Sequence, residues 1–132
     1  MAWYHFMLDL HECAGERLED RELLLKAFRD LAEMMEMRII GGPLVVHYVG
    51  EEGSPSGQGL SGFVIVAESH ISIHTDTLTN YVSVDVYSCK RFDPEKVEEY
   101  LVKLFKASRV ERRFLVRGPK REEAWASSML HR

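Results

Sequence analysis

Ser69-His70-Ile71-Ser72-Ile73-His74-Thr75 and, after a five-residue gap, Tyr81-Val82-Ser83-Val84-Asp85-Val86-Tyr87-Ser88 alternate apolar and polar side chains. Successive side chains of a strand point to opposite faces. Each segment therefore reads as a strand with one buried face, and residues 76 to 80 join the two as a hairpin-like loop. Pairing them gathers His70, Ser72, His74, Ser83 and Asp85 on a polar face that Tyr87 and Cys89 continue. Ile71, Ile73, Val82, Val84 and Val86 fall on the opposite face. A slip of one residue would exchange the two. In the register chosen, Cys89 lies at the far end of the hairpin, near Ser69.

Upstream, Gly62 to Ala67 is a nearly continuous apolar run, which predicts a strand buried on both faces. Residues 50 to 60 are rich in glycine and serine and read as a loop. Gly41-Gly42-Pro43 punctuates the chain before a strand from Leu44 to Val49. Further back, Leu24, Ala27, Phe28, Leu31 and Met35 recur at helical spacing behind Asp20, a candidate N-cap, and predict a helix over Arg21 to Glu36. Trp3 to Leu10 reads as a strand. Downstream, Asp93-Pro94 supplies an N-cap and a proline at the first helical position. Val97, Tyr100, Leu101, Leu104 and Phe105 form the buried stripe of that second helix. Arg109 to Arg117 reads as a charged strand at a sheet edge. The order predicts an α+β fold, a two-layer sandwich of a mostly antiparallel sheet with two helices packed on one face.

The 132 residues are expected to form a single domain. The tail after about residue 118 is polar apart from Ala124-Trp125 and Met129-Leu130, and is expected to be partly flexible. The net charge of −4 comes with no basic stripe, which argues against nucleic acid as a partner. No apolar run is long enough to span a membrane. The N-terminus has no basic flank and no signal-peptide layout, so a cytoplasmic location is expected. Cys13 and Cys89 have no partner cysteines at metal-ligand spacing and are expected to be free thiols. His70 and His74 share a strand face about 13 Å apart, too far to ligate one metal, so no metal is expected. Gly53 to Gly57 lacks the lysine and the following helix of a phosphate loop. Taken singly, a histidine on a sheet is usually solvated, a lone cysteine packs in a core and a serine beside glycine makes a turn. Met34, Met35 and Met37 read as packing.

The combination carries more than its parts. Ala67-Glu68-Ser69-His70-Ile71-Ser72-Ile73-His74-Thr75 resembles the processing site of the prokaryotic-type S-adenosylmethionine decarboxylases. The resemblance extends from Asp9 to about Gly118. It takes in Glu12-Cys13, Leu18-Glu19-Asp20, Gly59-Leu60-Ser61-Gly62 and the stretch Tyr81 to Cys89 with its Val84-Asp85-Val86 centre. It implies a proenzyme that cuts itself between Glu68 and Ser69, giving a β chain of residues 1–68 and an α chain of residues 69–132. The implied cofactor is a pyruvoyl group made from Ser69. A decarboxylase of an amine-bearing substrate needs a carbonyl that can take the amine as a Schiff base and draw electrons, and no encoded side chain has one. The resemblance also implies roles for other residues. His74 would be the base of processing, and Ser61 would support it through a hydrogen bond to the tetrahedral intermediate. Cys89 would return a proton to the substrate, and Glu12 would be a substrate contact. Two protomers would pack as a homodimer, each site drawing on both.

Three departures bear on the substrate. The family usually has tryptophan, proline and glutamate after His74-Thr75, and the resemblance gives the glutamate the ribose hydroxyls. Here Asp76, Thr77 and Leu78 stand there, leaving Asp76 as a candidate substitute for substrate binding. An aromatic expected near the glycine-serine segment is missing, with Trp3, Tyr4 and Tyr48 as possible replacements, and Lys90 replaces a glycine after Cys89. The leading expectation is decarboxylation of S-adenosylmethionine for spermidine biosynthesis. The alternatives are a pyruvoyl-dependent decarboxylase of another amino acid such as arginine or ornithine, and a non-catalytic regulatory homologue.

Overall fold

In the computed structural model the hairpin has the register read from the alternation. His70 pairs with Tyr87, Ser72 with Asp85 and His74 with Ser83, while Ile71, Ile73, Val82, Val84 and Val86 are all buried. The structure describes residues 2–52 and 57–119, so the expectation about the tail falls almost wholly outside the described residues. In chain order the elements are β1 (Trp3–His11), α1 (Arg21–Met34), β2 (Arg38–Val49), β3 (Gln58–Ala67), β4 (Ser69–Asp76), β5 (Tyr81–Ser88), α2 (Pro94–Phe105) and β6 (Arg109–Arg117), with a 3-10 turn at Gly15–Arg17. The six strands form one antiparallel sheet in the order β2-β3-β4-β5-β1-β6.

Both helices start where the sequence signals them. The Asp20 carboxylate accepts from Leu23 N at 3.0 Å, and Asp93 accepts from Glu95 N at 3.0 Å with Pro94 behind it. These caps satisfy amide groups that the first helical turn leaves without partners. The first helix ends at Met34, short of Glu36. Glu36 takes a positive φ of 54°, and Met37 N reaches back to Ala32 O at 2.8 Å, which closes the helix. Phe28 and Leu31 from α1 and Leu101 and Phe105 from α2 are fully buried with Leu8, Ile71, Ile73 and Val64 of the sheet. A Cβ at Gly62 would sit 2.8 Å from the Phe28 ring, so this glycine lets α1 settle onto β3. Tyr100 of α2 donates to Asp30 of α1 at 2.6 Å and ties the helices together.

The strands at one side differ from expectation. β3 begins at Gln58, inside the expected loop, and β2 begins at Arg38, ahead of Gly41-Gly42-Pro43. The ladder continues past these residues with register shifts between Ile39 and Gly41 and between Gly41 and Leu44. β2 is an edge strand, where proline need not donate to a ladder. Nor is β3 buried on both faces. Val64 and Val66 are core, but Phe63 and Ile65 are 41% and 42% exposed. The helices cover one face of the sheet only, and β3 turns its other apolar residues to the open face.

That open face has two characters. On β2 and β3 it presents Leu44, Val46, Phe63 and Ile65, all exposed. On β5, β1 and β6 it is mostly polar, with several side chains paired. His5 Nε2 lies 2.9 Å from Asp85 Oδ1, Tyr81 donates to Asp9, and Arg113 reaches Asp9 at 3.5 Å. Among the described residues no helix is long and apolar enough to cross a membrane.

Candidate functional site

The expected site residues fall into two clusters at opposite ends of β4. At its start, Val66 pairs with Ser69, so Ala67 and Glu68 alone make the turn from β3. The Ala67–Glu68 peptide is cis. Glu68 is exposed and Ser69 half-buried, and Ser69 has a φ of 127°. Only glycine enters that region freely, so a side chain there costs about 1–3 kcal/mol. Cys89 follows directly on Ser88, the β5 residue paired with Ser69. Its thiol donates to Glu68 Oε2 at 2.5 Å. The thiol is shifted upward, first by that hydrogen bond, then by desolvation and the carboxylate charge. Cys13 is also free, but it is buried, and burial pushes it up to about 11.

At the other end, Ser61 of β3 pairs with His74 of β4, and Ser61 Oγ lies 2.9 Å from His74 Nδ1. They line a cavity of about 270 Å³ with Tyr48, Gln58, Asp76 and Tyr81. Next to His74, Thr75 is buried. Its hydroxyl donates to Leu18 O at 2.7 Å and accepts from Leu60 N at 2.8 Å. A Cβ at Gly59 would lie 2.1 Å from Thr75 O, so only glycine fits there. These contacts fix the strand that carries the imidazole. Tyr81 is pushed up to about 12, chiefly by burial and then by its hydrogen bond to Asp9.

Asp76 lines this cavity, but its carboxylate caps the β4–β5 turn. It accepts from Leu78 N at 3.0 Å and from Thr79 Oγ1 at 2.7 Å. Leu78 is 70% exposed. Glu12, exposed at the end of β1, has a positive φ of 56° and lies at this same end, where Cys13 N donates to Asn80 O. Of the three aromatics considered as replacements, Tyr48 lines the cavity. Trp3 instead stacks on Tyr87 at 5.2 Å, and Tyr4 sits 6.0 Å from Phe114.

Five residues along β4 separate Ser69 from His74, about 16 Å at the usual rise. Within one chain, the structure thus brings Ser61 to His74 and Glu68 to Cys89, but not the first pair to the second. The sequence reading missed the Glu68–Cys89 contact, His5 as the partner of Asp85, and the Thr75 clamp. The signal for His5 was available, because β1 alternates just as β5 does. The thiol–carboxylate contact needs the turn geometry, which no local pattern encodes.

Comparison with known proteins identifies the family. The family described as S-adenosylmethionine decarboxylase matches residues 4–118. Three similar proteins are named S-adenosylmethionine decarboxylase proenzyme. The one from Clostridium botulinum strain Hall is 31% identical over 116 residues, covering 87% of this chain and 93% of its own. The one from Pyrococcus furiosus is 34% identical over 122 residues, covering 92% and 82%. The one from Caldicellulosiruptor saccharolyticus is 35% identical over 115 residues, covering 86% of each. The crystal structure of the adenosylmethionine decarboxylase from Aquifex aeolicus VF5 shares the fold, with a TM-score of 0.69 at 24% identity over 91% of this chain and 93% of that one. The chain, folded as an α+β sandwich, belongs to the S-adenosylmethionine decarboxylase family of carboxy-lyases.

Proposed function

We propose that the chain is a proenzyme that cuts itself between Glu68 and Ser69, and that the product decarboxylates S-adenosylmethionine, supplying the aminopropyl donor for spermidine in the cytoplasm. The observation that carries this reading is the Glu68–Ser69 junction: a serine at a two-residue turn, in a backbone region suited to glycine, beside a thiol. The Ser69 hydroxyl attacks the Glu68 main-chain carbonyl, exchanging the peptide bond for an ester and freeing the Ser69 nitrogen. Loss of the Ser69 α-proton expels the Glu68 carboxylate from Cβ. Water then releases the nitrogen as ammonia and leaves a pyruvoyl group at the start of residues 69–132. Residue 69 loses its tetrahedral α-carbon in this step, and with it the clash behind the unfavourable φ.

When present, the pyruvoyl group supplies the carbonyl that takes the substrate amine and draws electrons as carbon dioxide departs. The chain supplies the rest. His74, oriented by Ser61, is the base that takes the Ser69 α-proton, and Ser61 also supports the tetrahedral intermediate of processing. Cys89 gives a proton to the substrate α-carbon once carbon dioxide has left. Because His74 lies about 16 Å from Ser69 along β4, the base comes from a second copy. A homodimer packed through the open face accounts for the exposed Leu44, Val46, Phe63 and Ile65. A two-fold axis between the two sheets and across their strands would set the Ser69 end of one copy over the His74 end of the other.

The β4–β5 turn favours a second reading, decarboxylation of another amine-bearing substrate such as arginine or ornithine. Asp76 already holds Leu78 N and Thr79 Oγ1, and the exposed Leu78 accepts no hydrogen bond from its side chain. Ribose hydroxyls left without partners in a closed site would cost about 1–3 kcal/mol each. The deciding experiment is intact mass under denaturing conditions, followed by carbon dioxide release from each substrate. Two fragments dividing at Glu68/Ser69, the second beginning with pyruvoyl, are expected. A chain that stays whole sinks the reading and favours a regulatory homologue. Carbon dioxide from arginine or ornithine alone would shift the substrate, not the chemistry.

A further inference from the structure

Resting on the reading above, we infer that the Glu68 carboxylate is a positioning residue for Cys89, keeping its thiol protonated so that it can act as the acid of decarboxylation. Self-cleavage uses only the main-chain carbonyl of Glu68 and leaves the side chain unassigned. The turn nevertheless aims that side chain at Cys89, whose Sγ donates to Oε2. The two residues flank the β4–β5 hairpin in sequence, 21 positions apart, and meet at its open end.

An unperturbed thiol ionises at about 8.5, so part of it carries no proton near neutral pH. A carboxylate that accepts from S–H stabilises the thiol, and its charge disfavours the thiolate. The upward shift of Cys89, with Glu68 as its first cause, agrees. The neighbouring cations are engaged elsewhere. Lys90 Nζ donates to Glu36 O, and Arg91 Nε donates to Tyr4 Oη at 3.1 Å.

In the step itself, the substrate's bond to its carboxylate breaks and the electron pair stays on carbon. The S–H proton moves to that carbon and leaves a thiolate. Repulsion by Glu68 then favours return of a proton from water. Cleavage strengthens the effect, because Glu68 becomes a C-terminal residue with a second carboxylate.

The test follows alkylation of Cys89 by iodoacetamide against pH, read on the Cys89 peptide by mass spectrometry so that Cys13 does not interfere. The full chain is compared with Glu68→Gln, which keeps size and hydrogen-bonding capacity but loses the charge. Glu68 is exposed, so the fold should tolerate the change. The expected result is a lower reactivity midpoint in the variant, with the alkaline limb of kcat moving down to match. An unchanged midpoint overturns the inference. Repeating the titration in the Ser69→Ala background removes any dependence on cleavage. A chain that never cuts would overturn the proenzyme reading while this comparison still decides the role of Glu68.

Discussion

The two ends of β4 are built in opposite ways. At the His74 end, Thr75 is clamped between Leu18 and Leu60, Gly59 admits no side chain, and Ser61 holds the imidazole. At the Ser69 end the ladder gives out into a two-residue turn, with Glu68 exposed and Ser69 at an unfavourable φ. A base is most effective when its position is fixed, and a bond that must be exchanged needs room to move. The structure puts rigidity and freedom at opposite ends of one strand, and the proposed second copy would bring them together.

The sharpest way to break that comparison is complementation. Ser69→Ala and His74→Ala should each leave an uncut, inactive chain. Co-expressed, they should recover about a quarter of the wild-type cut sites, since half the dimers are mixed and each has one site with both ends intact. Denaturing mass spectra would count the fragments. No recovery would place both ends of a site in one chain.

A change at the thiol should separate the two chemistries. Cys89→Ala should cut normally yet turn over about 10²–10⁴ times more slowly, the usual contribution of a positioned acid. Rates of cleavage and carbon dioxide release, measured on the same sample, give the ratio. Equal losses in both would assign Cys89 to processing as well. The smallest expected effect lies at the rigid end. Thr75→Val removes the hydroxyl from Leu18 O and Leu60 N, and should destabilise the fold by about 1–3 kcal/mol in urea unfolding. A neutral result would mean that the ladder alone holds His74 in place.

Much of this was legible before the structure. Alternation fixed the faces and register of β4 and β5, because a slip would have buried His70, Ser72 and His74. Caps at Asp20 and Asp93 marked the helix starts. Phe63 and Ile65 misled because an apolar run does not reveal whether its cover lies within the same chain. Gly41-Gly42-Pro43 read as an interruption, yet an edge strand absorbs such residues as a bulge. The chemical types at the site were visible in one line of sequence. Their division into two clusters was not, since it depends on the distance travelled along a strand and on where a turn aims Glu68.

The strand order has one more consequence. Residues 1–68 contain β1, β2 and β3, and residues 69–132 contain β4, β5 and β6. In the sheet the first set takes the first, second and fifth places, and the second set takes the rest. A cut at Glu68 would therefore leave two interlocked combs rather than two lobes meeting at one surface. Ladders between the pieces would remain at β3–β4, β5–β1 and β1–β6. The pieces could part only by unzipping all three and opening the shared core, so their separation would be an unfolding event, as slow as unfolding itself.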